Sequence, residues 1–254
     1  MRNILAIAEK EIRSYFASPI AYILIGLFSL LFGWFFYVYL MAFVQQSEQM
    51  MQFGGGNTNV NQMMIRGLFQ NTAVIILFVM PMITMRTYSE EKRSGTIELL
   101  LTSPVTDLEI ILGKFIGALA LYGAMLLVTM LYMAILFKIG NPEWRPLVAG
   151  YLGLLLMGGC FLSIGLFLSS VTKNQIVAAF LTFATFLMLW IINWLGESSS
   201  QTTRDVLNFL SITEHFDDFS RGIIDTKHVV YYLSFITFGL FLTAKSVDSE
   251  RWRG

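Results

Sequence analysis

YSEEKRSGTIELLLTSP, residues 88–104, is the stretch on which the reading of this chain turns. Five of its first eleven residues are ionised, yet it lies between two long apolar runs in a 254-residue sequence that is 56% hydrophobic and 13% charged. A mean hydropathy of +0.64 and 22 Phe fall outside the range of water-soluble domains. The runs on either side of the stretch read as membrane-crossing, and the stretch itself as a charged insert at a membrane face.

Working outward, ionisable residues cluster at the ends of the apolar runs. A helix covers a hydrocarbon core of about 30 Å with roughly 20 apolar residues. On that measure the sequence predicts transmembrane helices over 20–44, 67–86, 108–138, 146–170, 175–196 and 228–245. The sixth is the shortest, and Lys227 and Lys245 can snorkel outward from its ends. With both termini in the cytoplasm, eleven of the seventeen Lys and Arg fall on the cytoplasmic side, which places 88–104 there too.

Several classes are excluded by what is missing. The single Cys160 allows neither a disulfide framework nor a cysteine metal site. Glu9, Lys10, Glu11 and Arg13 interrupt the N-terminus where a signal peptide would be apolar. The net charge is zero and there is no basic block for nucleic acid. No ionisable residue lies in the middle third of a predicted span, which argues against a proton-coupled carrier. No catalytic constellation is visible, so the chain reads as non-enzymatic. Gly113-Lys114 is followed by Phe115 and preceded by Leu108 where a phosphate loop has Gly, so Lys114 reads as a snorkelling residue. His215 and His228 read as solvated loop histidines.

Local signals fill in the rest. Residues 1–17 carry Ile4, Leu5, Ala8, Ile12, Tyr15 and Phe16 at helical spacing opposite Glu9, Lys10 and Arg13, the pattern of an interfacial helix. Residues 45–61, rich in Gln, Asn and Gly, read as a mobile tether. Within 88–104, Ile97, Leu100 and Leu101 share one face after Gly95, with Glu90, Glu91, Lys92 and Arg93 before it, and Ser103-Pro104 ends the element. A capped amphipathic helix of this kind suits a partner's groove. Thr106 to Glu109 fits a capping box opening the third span, and Pro81 predicts a kink near the end of the second. Gly113/Gly117, Gly159/Ser163 and Gly165/Ser169 would let helices approach closely, with packing inside the chain favoured over a subunit interface. Ser169 to Gln175 is a tight cytoplasmic turn. Residues 197–227 carry six acidic and three basic residues among recurring apolar ones, which predicts short helices on the outer surface.

The segment EEKRSGTIELLLTSP resembles the signature of the ABC-2 type transporter permeases, in particular the branch that contains the gliding-motility and nitrous-oxide-reductase-maturation permeases. SSVTKNQIVAAF at 169–180 and HFDDFSRGIIDTKHVVYY at 215–232 look like segments of the gliding branch. The resemblance implies the membrane half of an ATP-driven exporter in the inner membrane. It binds no cofactor itself; ATP and Mg would sit on a separate nucleotide-binding ATPase subunit. It implies that 88–104 is a coupling helix seated in that ATPase through Glu90, Glu91, Gly95, Thr96, Glu98, Leu100, Leu101 and Pro104, with Lys173 and Asn174 as a second contact. The outer segment, with Glu214, His215, Phe216, Asp217, Asp218, Phe219, Arg221 and Gly222, would be an exit gate or a docking site. A second copy of the chain or a related membrane subunit, and an outer-side auxiliary protein, are the further partners implied. The alternative is an ATP-driven membrane anchor that remodels an envelope machine, and an autonomous channel would have to work without an ATPase.

Overall fold

The computed structural model of the chain describes residues 2–52, 64–97, 105–139, 142–196 and 201–251. The elements among these residues are helices: α1 Arg2–Ala17, α2 Pro19–Gln52, α3 Arg66–Thr84, α4 Ser89–Ser94, α5 Asp107–Ile139, α6 Trp144–Val171, α7 Gln175–Gly196, α8 Gln201–Leu210, α9 Ile212–Ser220 and α10 Thr226–Arg251. Six of them, α2, α3, α5, α6, α7 and α10, are long and apolar enough to cross a membrane. This is the all-helical, six-span class that the hydropathy pattern predicts.

The spans are not equivalent. In the most apolar stretches of α3 and α6, 67% of residues are buried inside the chain, against 22% in α2, 17% in α7 and 22% in α10. So α3 and α6 form the centre, and the other three turn most of their surface outward. Lipid tails are as apolar as leucine, so close packing of small residues decides which helices touch. A Cβ on Gly158 would fall 2.2 Å from the ring of Tyr122, and one on Gly165 would fall 2.3 Å from Thr84 Oγ1. Tyr122 closes the α5–α6 contact by donating from its hydroxyl to the Leu154 carbonyl at 2.8 Å. Gly159 and Ser163 meet Ile236 and Gly239 of α10, and Gly113 and Gly117 meet Ile7 and Glu11 of α1. All three small-residue pairs are therefore used within the chain.

Two local features decide where elements begin and end. The capping box at the start of α5 is formed in both directions: Glu109 N donates to Thr106 Oγ1 at 3.3 Å, and Thr106 N donates to Glu109 Oε2 at 3.1 Å. At the other extreme, α2 runs on to Gln52, through the first half of the predicted tether. Gln, Glu and Met are good helix formers, and they outweigh the polar composition that reads as a loop; residues 53–61 lie outside the described residues. Pro81 lies inside α3, which stops at Thr84.

Ion pairs and hydrogen bonds gather α1, α4, the α6–α7 turn and the C-terminal part of α10 at one end of the bundle. The start of α3, α9 and the start of α10 share the opposite end.

Candidate functional site

The insert follows α3 directly. Its helix α4 carries Glu90 and Glu91 in the first turn and Lys92 and Arg93 in the last, which complements the helix dipole at both ends. Gly95 stops it with φ +72°, a left-handed conformation that a side chain would strain. That requirement accounts for a glycine at this point of the motif. Glu98, Leu100, Leu101 and Pro104 lie outside the described residues.

The structure divides the motif into two faces. Glu90, Arg93, Ser94, Gly95 and Thr96 are exposed, whereas Ser89, Lys92 and Ile97 are buried. Glu91 belongs to the inner face: its Oε1 lies 2.9 Å from Lys114 Nζ of α5 and 3.2 Å from Lys10 Nζ of α1. Lys114 also holds Glu11 Oε1 of α1 at 2.9 Å and donates to the Thr87 carbonyl at 2.9 Å, with the Tyr88 ring centroid 5.0 Å away. Three acceptors thus surround three ammonium hydrogens.

Lys114 is consequently not the snorkelling residue of the sequence reading. Its side chain is 1% exposed, because α1 lies across it on the flat seats of Gly113 and Gly117 and excludes water. The face that α1 turns inward is Ala8, Glu11 and Tyr15, while Leu5 points out at 65% exposure. A signal for this was present: Lys114 adjoins the small-residue pair, so whatever packs on that pair must answer its charge.

Three further ties hold the insert. Ser169 Oγ of α6 accepts from the backbone N–H groups of Tyr88 and Ser89, both at 3.1 Å, and donates to the Met85 carbonyl at 3.2 Å. Lys92 pairs with Glu250 of α10 at 2.6 Å, and Arg86 with Glu90 at 3.0 Å. Between α1 and the insert lies a polar cleft of about 320 Å³, lined among others by Lys10, Ser14, Tyr15, Arg86, Glu90 and Thr96. In the α6–α7 turn Lys173 is exposed, and Asn174 caps α7 by accepting from Ile176 N at 2.9 Å.

At the opposite end, Ser211 caps α9 by accepting from Glu214 N at 3.3 Å, and Gly222 ends the segment with φ +89° against Pro146. Phe216 and Phe219 are buried, packed where Gly153 of α6 leaves room. Asp217 joins α9 to α3 by accepting from Arg66 at 2.8 Å and Gln70 at 3.1 Å, and it also holds Arg221, just past its own helix, at 2.5 Å. Glu214 is exposed. His215 and His228 are 6% and 4% exposed and hydrogen-bonded to each other, not solvated loop residues. Periodicity could not reveal that pair, because it depends on how α9 folds back onto α10.

A six-span helical bundle with a motif-bearing charged insert, strapped to its own spans, is the architecture of a multi-pass membrane transport subunit. Residues 5–244 match the family model described as ABC-2 family transporter protein, and the chain belongs to that family. The chain is thus a membrane subunit of an ABC transporter, and permeases of this family typically work with an ABC ATPase subunit. No curated protein matches the sequence.

Proposed function

We propose that this chain is the permease of an ATP-driven exporter, and that the exposed face of residues 88–97 is where its ATPase subunit docks. The observation that carries the reading is the split of the motif: one face is open to a partner while the other is tied to α5, α6 and α10 through Glu91, Ser169 and Lys92. A displacement of the insert is therefore delivered to the central span α6 and to α5. ATP and Mg belong to the partner, and closure of two ATPase subunits would shift the population between bundle states that face opposite sides.

The excess of Lys and Arg at the insert end supports cytoplasmic termini in an inner membrane, with the α8–α9 segment outside. The apolar outer faces of α2 and α7 leave room for a second copy or a related membrane subunit. The resemblance of 215–232 to segments of the gliding branch supports a system with an outer-side auxiliary protein, for which the α8–α9 segment is the docking candidate.

Arg93→Glu tests the docking face. Arg93 is exposed on the partner side of α4, so reversing its charge should cut ATPase co-purification from native membranes at least about tenfold while leaving the melting behaviour of the chain unchanged. Normal recovery of the ATPase with this variant would remove Arg93's face from the interface.

A further inference from the structure

His215 and His228 are the only histidines of the chain, and the insert at the other end makes no use of them. Their Nδ1 atoms are 2.6 Å apart. His215 Nε2 lies 2.9 Å from the Phe209 carbonyl oxygen of α8, and His228 Nε2 lies 2.7 Å from Asp218 Oδ2 of α9. The His215 ring also stacks on Tyr231 of α10, with centroids 3.8 Å apart and planes at 20°.

The partners dictate where the protons are. A carbonyl only accepts, so His215 Nε2 carries a hydrogen; an ionised carboxylate only accepts, so His228 Nε2 carries one as well. Of two Nδ1 atoms facing each other, one must donate and the other accept. The two rings therefore hold three protons between them, one positive charge set against Asp218. A fourth proton would turn two N–H groups and two cations on each other, and loss of the third would oppose two lone pairs. The run from Phe209 through His215 and His228 to Asp218 is complete at a single proton count.

We propose that Asp218, His228 and His215 form a one-proton latch, which ties α8 and α9 to α10 while the compartment at that end is near neutral and releases them when it turns acid. His215 and Asp218 sit on α9 and His228 on α10, so the latch joins α9 to α10 and, through Phe209, to α8. That last tie matters, because α8 buries no residue of its own. The other groups facing the pair leave the logic intact. Lys227 is positive and opposes a second proton; Asp225 is held by Lys227 at 3.3 Å; Asp217 is occupied by Arg66 and Arg221. Tyr231 and Tyr232 donate their hydroxyls to the carbonyls of Leu210 and Ile212, and the Cys160 thiol donates to the Tyr232 carbonyl.

Burial holds the His215 ring below the usual imidazole range, against the raising pull of the Phe209 carbonyl, and the neighbouring His228 lowers it further. A lowered value has a definite sign. With three ring protons in place near neutral pH, the latch is lost on the acid side, as pH falls from the ordinary imidazole value of about 6.5 through the lower value of His215.

The test uses the full chain, purified through a histidine-free tag, placed in lipid nanodiscs and labelled with ¹⁵N at histidine only. Near neutral pH, three ring nitrogens should be protonated and one bare, with a coupling across the Nδ1–Nδ1 bond. On acidification that coupling should vanish, and the backbone amides of α8 and α9 should exchange about tenfold faster per pH unit, beyond their intrinsic rate. A His215→Phe chain keeps a ring on Tyr231 but has nothing to protonate at that position, so its exchange should lose the pH dependence that comes from the pair. Two rings that titrate independently with no coupling, or acid release that persists unchanged in His215→Phe, would overturn the latch.

Discussion

A Lys114→Met chain is expected to lose about 3–5 kcal/mol of stability, the usual effect of removing one partner from a buried ionic cluster. The loss arises less from the missing attraction than from what is left behind. Glu11 and Glu91, at 10% and 16% side-chain exposure, would face each other across an apolar thioether with no cation between them. Glu11 would also lose its ion-pair partner, while Glu91 would keep only the exposed Lys10. Thermal unfolding in mild detergent should show a fall of roughly 10 °C. Combining Lys114→Met with Glu11→Gln and Glu91→Gln should recover most of it, because the stranded charges are then gone. If the single variant melted like the parent, the ammonium would not be sequestered between α1, α5 and the insert.

Ser169→Ala should have the second largest effect, and a local one. The Oγ of Ser169 serves two backbone N–H groups and one carbonyl where α3 hands over to α4, in a place with 0% exposure of the serine. Leaving buried donors without an acceptor costs about 1–3 kcal/mol each. Hydrogen exchange should rise for residues 85–97 and stay unchanged for the middle of α6. Ser169→Thr, which keeps the hydroxyl, should behave more like the parent. Equal exchange in the Ala variant and the parent would mean that α6 does not hold the insert.

The fold was legible because each of its determinants is local or periodic. Apolar runs of spanning length, Thr106 and Glu109 at capping-box spacing, and glycines and serines four apart all act over one or two turns of helix. What escaped is long-range. Lys114 and Glu11 are 103 positions apart and Lys114 and Glu91 are 23 apart, so their cluster exists only once α1 lies along α5. Without it, charge reversal at Glu91 looks like a clean lesion of a docking surface. In the structure Glu91→Arg would bring a guanidinium against Lys114 and Lys10 and disturb the fold itself. His215 and His228 escaped for the same reason, since the turn at Gly222 is what folds α9 back so that the rings meet. The motif singles out the segment; the division of that segment into an open and a tied face required the packing of α1, α6 and α10 around it.

Photo-crosslinking can show whether the open face of the insert meets an ATPase. A photoreactive amino acid placed at Thr96, exposed beside the polar cleft, would be activated in native membranes and the covalent product identified by mass spectrometry. A control probe at Trp34, exposed at 61% on the apolar face of α2, reports non-specific capture. An ATPase bearing a nucleotide-binding motif is expected on Thr96 and absent from Trp34. A Thr96 probe that reacts with lipid or with other partners, and never with such an ATPase, would mean that the open face of the insert does not dock one.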